Sequence, residues 1–192
     1  MENTSFDVLI VGGGPCGLML ALELGRRGVH TLLVNEQPDT AFNPQANATQ
    51  ARTMEHFRRL GFADEVRALG LPPDFPTDIA YCTRYAGHEL ARFRLPSAKE
   101  AKKAVAAGTG SWSAAELPHR VSQKFVEKLL REKVGALPSV TLRYGWRVTQ
   151  FEDNGAHVAA TIALAEGGPP VQVHANYLVG ADGPRSFVRQ TM

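Results

Sequence analysis

Apolar residues run from Phe6 to Val11, stop at three consecutive glycines, and resume at helical spacing through Leu18, Leu20, Ala21, Leu22 and Leu24 before a second run from His30 to Val34. Short apolar runs suit strands, and a stripe recurring every three or four residues suits a helix. The pattern predicts strand over 6–11, helix over 18–25 and strand over 30–34. Arg26 and Arg27 suit the negative end of that helix, and Gly28 suits its exit. Farther on, Met54, Phe57 and Leu60 predict a helix over 49–60 that stops at Gly61, with a short helix over 63–69. "GLPPDFP", at 70–76, breaks the pattern.

Beyond the break, "TDIAYCTRY" (77–85) and "HELARFRL" (88–95) read as two strands of a hairpin in a different sheet, joined by a loop containing Gly87. Residues 97–116, rich in alanine, lysine and glycine, predict a helix and then a loose connection. A helix starts at Ser122, sets Phe125, Val126, Leu129, Leu130 and Val134 on one face, and closes at Gly135. "VTLRYGWRVTQFED" (140–153) and "AHVAATIAL" (156–164) are extended, and "NYLVGADG" (176–183) is a last short strand. There is no internal repeat. Periodicity alone leaves the order of strands in the sheet open.

With 192 residues, the chain is large for one domain and small for two, and can bury roughly 70% of its extended surface. Apolar residues at 44%, charged residues at 21% and a net charge of +2 describe an ordinary soluble protein with no electrostatic case for nucleic acid. The two cysteines, Cys16 and Cys82, and the histidines, His56 and His119 among them, lack metal-ligand spacing, so no metal is expected. A disulfide framework is not expected either, and the natural setting is a reducing cytoplasm. The run from Phe6 to Val11 is too short for a signal-peptide core or a membrane span. Trp112 and Trp146 read as core or loop anchors.

The glycines carry the chemistry. Gly12, Gly14 and Gly17 occupy the three positions of G-x-G-x-x-G between a strand and a helix, with Pro15 and Cys16 inside the turn. The first glycine permits the turn, the second leaves room for a pyrophosphate against the backbone, and the third allows close contact of strand and helix. The helix N-terminus adds unpaired N–H groups and partial positive charge. Glu36, nineteen residues after Gly17, stands where a carboxylate accepts ribose hydroxyls and leaves little room for a 2′-phosphate. The unit reads as a dinucleotide site, for which NAD and FAD both qualify. No Gly-Lys-Ser/Thr follows, so it is not an NTPase loop. Cys16 lies at a helix N-terminus, a position that raises the question of a redox role. A turn covered by cofactor argues against a redox role for it.

Three further stretches, "PQANATQARTMEHFRRLG" (44–61), "SQKFVEKLL" (122–130) and "LVGADGPRSFVR" (178–189), occur in the same order as in the FAD-dependent aromatic hydroxylases. Over nearly its whole length the chain resembles these single-component flavoprotein monooxygenases, of which p-hydroxybenzoate and phenol hydroxylases are examples. The resemblance implies an α/β fold: a Rossmann-like FAD-binding parallel sheet (1–73, continued over 118–192), an inserted antiparallel β segment of a substrate domain (74–117), and a small β-meander from the strands of 139–174. Tyr177 to Gly180 then returns to the parallel sheet. It implies FAD as cofactor, NADPH or NADH as co-substrate, and O₂ with a phenolic or polyketide-like aromatic molecule as substrates, with no protein nucleophile.

Carried over by residue, the resemblance places Arg52 on the FAD phosphates and Gln123 on the cofactor, and gives Asp182 and Gly183 to FAD and the transient NADPH, with Arg185 toward the NADPH phosphates. Taken alone, Arg52 could join a charged helical face with Glu55 and Arg59, Asp182 could cap the next helix, and Gln123 could be an exposed polar residue. Gln45 departs from the basic residue that relatives often carry. Relatives also continue beyond the Asp-Gly motif with a second glycine-aspartate motif and more of the flavin's surroundings. These 192 residues are therefore expected to bind FAD without completing hydroxylation, losing hydrogen peroxide instead. A flavoprotein dehydrogenase or reductase, and a non-catalytic dinucleotide-binding fragment, are the alternatives.

Overall fold

A computed structural model describes residues 4–43, 45–108 and 114–192, so Trp112 and the middle of the 97–116 connection lie outside it. In chain order the elements begin with β1 (Ser5–Val11), α1 (Pro15–Gly25) and β2 (Thr31–Asn35). There follow β3 (Ala48–Thr49), α2 (Ala51–Leu60), α3 (Ala63–Ala68), β4 (Ile79–Cys82), β5 (Glu89–Phe93), α4 (Ala98–Ala106) and β6 (His119–Arg120). The last are α5 (Gln123–Gly135), β7 (Val140–Tyr144), β8 (Trp146–Asp153), β9 (Val158–Leu164), β10 (Val171–Gly180) and α6 (Phe187–Thr191). They fall into two compact units, residues 1–44 with 124–192, and residues 45–123.

The first unit is built on a six-stranded sheet in the order β7-β2-β1-β10-β9-β8. β7, β2, β1 and β10 are parallel, and β10-β9-β8 antiparallel. The expected meander is present, but it continues the main sheet. β10 joins the two parts: Val171 to Ala175 pair with β9, while Tyr177 to Gly180 pair with Val8 to Val11. The extended reading of 140–153 also divides, because Gly145 at φ 74° turns the chain between β7, which runs parallel to β2, and β8, which does not. On one side Leu9, Val11, Leu32, Val34, Ile162 and Val173 make a continuous core, and α1 buries Leu18, Ala21 and Leu22. Non-directional burial of such side chains, at about 1.5–3 kcal/mol each, holds β1 and α1 against the rest of the unit.

The second unit begins with the β3–β6 pair and α2, which buries Met54, Phe57 and Leu60 as the spacing predicts and ends at Gly61 in the left-handed region (φ 90°). Thr49, expected in that helix, is in β3 opposite His119. α4 is capped by Ser97, whose hydroxyl accepts the Glu100 N–H while the Glu100 carboxylate accepts the Ser97 N–H, a reciprocal cap. The expected hairpin is β4–β5, an antiparallel pair in a sheet of its own. Two differences have local causes. α1 starts at Pro15, earlier than its apolar stripe, because proline suits the first helical position. In α5, Phe125 is exposed, and Glu127 is buried where its carboxylate accepts the Ala41 N–H at 2.9 Å. Among the described residues no helix is long and apolar enough to cross a membrane.

Candidate functional site

The strand end, the turn and the helix start are fixed mainly by backbone. The Gly12 N–H donates to the Val34 carbonyl at 2.8 Å and the Ala181 N–H to the Val11 carbonyl at 2.7 Å, tying the turn to β2 and to the end of β10. Gly12 has φ 113°, and a Cβ there would collide with the Ala181 carbonyl. A Cβ on Gly17 would collide with the Gly12 carbonyl oxygen. Both glycines are therefore dictated by the fold itself. Gly14 is different: at φ −77° and ψ −174° its backbone suits any residue, and an added Cβ would meet nothing within 4 Å. Nothing in the described protein requires a glycine there, and the space over it is open.

Gly14 is the N-cap of α1 and supplies no side-chain cap, while Pro15 contributes no N–H. The remaining N–H groups of the first turn carry partial positive charge toward that space. Cys16 is exposed there, and Cys82 is exposed as well.

Two residues without a sequence signal brace the turn. The Gly13 N–H donates to Asn35 Oδ1 at 2.9 Å, and the Tyr144 hydroxyl donates to the Gly13 carbonyl at 3.1 Å. The Arg131 guanidinium lies 4.0 Å from the Tyr144 ring centre. Burial pushes the Tyr144 hydroxyl up to about 12, against the positive charge of Arg131, which keeps it a donor.

Glu36, immediately after β2, is exposed, with Arg147 Nη1 at 3.9 Å from its carboxylate. A cavity of about 250 Å³ is shared by Gly12, Glu36, Trp146, Arg147, Asp182 and Phe187. It brings together three of the sequence-predicted positions from both ends of the chain. Trp146 also packs partly buried against the sheet core. The Asp182 carboxylate accepts the Val188 N–H through Oδ2 at 3.1 Å, whereas Oδ1 is buried and has no partner among the described residues. Burial opposes its ionisation, but hydrogen bonds from Ser186 and from backbone N–H groups outweigh that and hold the carboxyl below its ordinary value. The cap of α6 is Ser186, whose hydroxyl oxygen accepts the Arg189 N–H. Gly183 has φ 79°, and Arg185 is exposed.

Arg52 and Gln123 belong to the second unit. Arg52 pairs with Glu55 at 3.0 Å on an exposed face of α2, and Glu55 also accepts the Ala115 N–H. Gln123 opens α5, with its N–H donating to the Ala46 carbonyl at 3.0 Å.

A dinucleotide fits what the first unit offers. There is an open space over Gly14 at a helix N-terminus, an exposed carboxylate at Glu36 with only a long contact to Arg147, and a buried oxygen on Asp182 with no partner among the described residues. The sequence profile of a family described as FAD binding domain matches residues 5–192. The chain is 33% identical over 182 residues to 2,4-dichlorophenol 6-monooxygenase of Cupriavidus pinatubonensis, covering 95% of this chain and 30% of that protein. It is 35% identical over 197 residues to aklavinone 12-hydroxylase DnrF of Streptomyces peucetius, covering 100% of this chain and 38% of that protein. Among solved structures, the flavin-dependent monooxygenase PieE in complex with FAD and substrate superposes with a TM-score of 0.84 at 34% identity, over 100% of this chain and 32% of that one. The chain thus spans about a third of the length of these relatives.

Proposed function

The chain belongs to the FAD-binding domain family that matches residues 5–192, and from that premise we propose that it is the FAD-binding portion of a NAD(P)H-dependent monooxygenase that hydroxylates a phenolic or polyketide-like aromatic substrate in the cytoplasm. Residues 74–117 supply part of the substrate domain in this reading, and 1–73 with 118–192 hold the cofactor. The observation that carries it is Gly14, a glycine that the protein's own packing does not need and that a phosphate lying on the turn does.

The residues divide the work of binding. The first-turn N–H groups of α1 donate to the pyrophosphate, with Gly12 and Gly17 holding the turn and Pro15 and Cys16 forming its outer edge. Glu36 accepts the adenosine ribose hydroxyls, displacing its long contact to Arg147. Asp182, kept ionised by its helix-side hydrogen bonds, presents Oδ1 as an acceptor beside Gly12, and Gly183 lets the chain turn away behind it. Arg52, released from Glu55, adds charge to the phosphates, and Gln123 offers its amide to the cofactor. Arg185 is available to the co-substrate's phosphates. The bound flavin supplies hydride acceptance from NADPH or NADH and activation of O₂ for transfer of one oxygen atom to an aromatic ring. The protein contributes position, electrostatics and exclusion of water. The names of the dichlorophenol and aklavinone relatives support the aromatic class.

The test is a titration of FAD into the chain, followed by quenching of flavin fluorescence, beside the same titration of Glu36→Ala. A charge-assisted carboxylate contact contributes about 1.5–3 kcal/mol. The variant is expected to bind FAD about 10- to 150-fold more weakly. A wild-type chain that does not bind FAD contradicts the reading, and unchanged affinity in the variant removes Glu36 from it.

A further inference from the structure

Glu36 and the glycine turn meet different parts of one ligand, the ribose and the pyrophosphate, so their spacing matters as much as their chemistry. Asn35 stands between them. It is the half-buried last residue of β2, next to Glu36 in the chain. Its Oδ1 accepts the Gly13 N–H at 2.9 Å, and its Nδ2 donates to the Gln37 carbonyl at 3.0 Å. The backbone partners settle which end of the amide is which, because an N–H only donates and a carbonyl only accepts. One side chain therefore holds the turn with one end and the main chain just past Glu36 with the other. The Gln37 carbonyl also accepts the Gly145 N–H at 3.1 Å, which fastens that segment to the corner between β7 and β8.

Packing agrees with that role. Gly13 has no room for a side chain, since a Cβ there would lie 2.8 Å from both Asn35 Cβ and the Tyr144 hydroxyl. The turn comes up against Asn35 because residue 13 is a glycine, a requirement separate from those at Gly12, Gly14 and Gly17. A second route joins the same two regions. Tyr144 donates to the Gly13 carbonyl, the Arg131 guanidinium lies over the Tyr144 ring, and Arg131 also donates to the Asp39 carboxylate in the segment that follows Glu36. Asp39 is 77% exposed, so its ion pair contributes little. The amide of Asn35 is the firmer link. The turn itself stands without Asn35, because Gly12 is tied to Val34 and Ala181 to Val11 through backbone alone, and Tyr144 holds Gly13.

We infer that Asn35 is a positioning residue for FAD: its amide fixes the Glu36 carboxylate at the distance from the α1 N-terminus that a ribose and its pyrophosphate require. This rests on the FAD-binding reading and adds to it a residue that acts through Glu36 and the turn. Holding the two groups in register before the ligand arrives lowers the ordering cost of binding. Removing the amide leaves both groups chemically intact but lets their spacing vary, so its loss is felt only while Glu36 is there to be misplaced.

The experiment is a double-mutant cycle read by FAD fluorescence titration of the wild-type chain, Asn35→Leu, Glu36→Ala and the double variant, each checked for folding by far-UV circular dichroism. Leucine has the shape of asparagine without its hydrogen-bonding ends. In the wild-type background Asn35→Leu is expected to weaken FAD binding about five- to tenfold, as the loss of one or two neutral hydrogen bonds implies. In the Glu36→Ala background the same substitution is expected to cost less than about twofold, the limit within which independent sites add. If the leucine variant does not fold, Asn35→Ala, which adds no bulk, goes through the same cycle. A residue that only stabilises the fold, or one that contacts FAD by itself, would cost the same in both backgrounds. Costs in the two backgrounds that agree within about twofold, or no cost in either, overturn the inference. A chain that binds FAD and gives such costs refutes only the role of Asn35, whereas a wild-type chain that takes no FAD refutes the reading beneath it.

Discussion

At the glycine turn, Gly12 and Gly17 face backbone atoms and Gly14 faces open space, so that site is built from main chain and from the absence of side chains. The cavity of about 310 Å³ in the second unit is built the other way, from side chains of four separated stretches, Leu71, Phe75, Leu95 and His119 among them. The difference lies in how each site constrains its residues. A main-chain site restricts residue identity at fixed spacing, since any Cβ at Gly12 or Gly17 meets a carbonyl. A side-chain site restricts only size and polarity, which many sequences satisfy. The first is rigid and suits a ligand group common to many proteins, and the second is easily varied.

The strongest way to break this contrast is Gly17→Ala. Its methyl would displace the Gly12 carbonyl, and overpacking against backbone costs about 3 kcal/mol. The expected result is a lower urea midpoint together with weaker FAD binding. Unchanged stability would mean that the turn yields easily and that its glycine is not set by the fold.

The same contrast explains what the sequence makes legible. The strand, turn, helix and strand of residues 5–35 are written in a glycine triplet and two apolar runs, and Glu36 follows at the expected distance. The bracing of Gly13 by Asn35 and Tyr144 is not, because these hydrogen bonds join residues 22 and 131 positions apart and follow no period. Register is hidden for a related reason: Val140–Tyr144 alternates like any strand, and only its pairing with Thr31–Asn35 shows it to be parallel. On α5, spacing places Phe125 on the buried face, yet the folded chain exposes it and buries Glu127, whose carboxylate accepts the Ala41 N–H. Asp182 and Gly183 were visible as a motif, but the unpartnered Oδ1 belongs to the folded chain alone. His119, one histidine among six, carried no signal, since it is buried against the Arg67 carbonyl, 52 positions away.

A smaller effect sharpens the account of the turn. Tyr144→Phe removes the bond to the Gly13 carbonyl and is expected to cost about 1 kcal/mol. The pH dependence has a definite sign. The hydroxyl's pKa is raised from 10.0 to about 12 in the folded chain, so the folded state favours the protonated form. The stability it contributes is complete below pH 10 and is lost as the pH rises toward 12. Urea midpoints for the wild-type chain should fall through that window more steeply than those for Tyr144→Phe. Parallel curves would show that the buried hydroxyl does not hold the turn.

The most direct test of the central claim, that Gly14 is a glycine for the ligand and not for the fold, is Gly14→Val examined by far-UV circular dichroism and urea unfolding alongside FAD titration. Its backbone angles admit valine and its Cβ direction is empty. The account predicts an unchanged spectrum, a stability change below about 1 kcal/mol, and no detectable FAD binding. Wild-type FAD affinity in a folded Gly14→Val chain would contradict it.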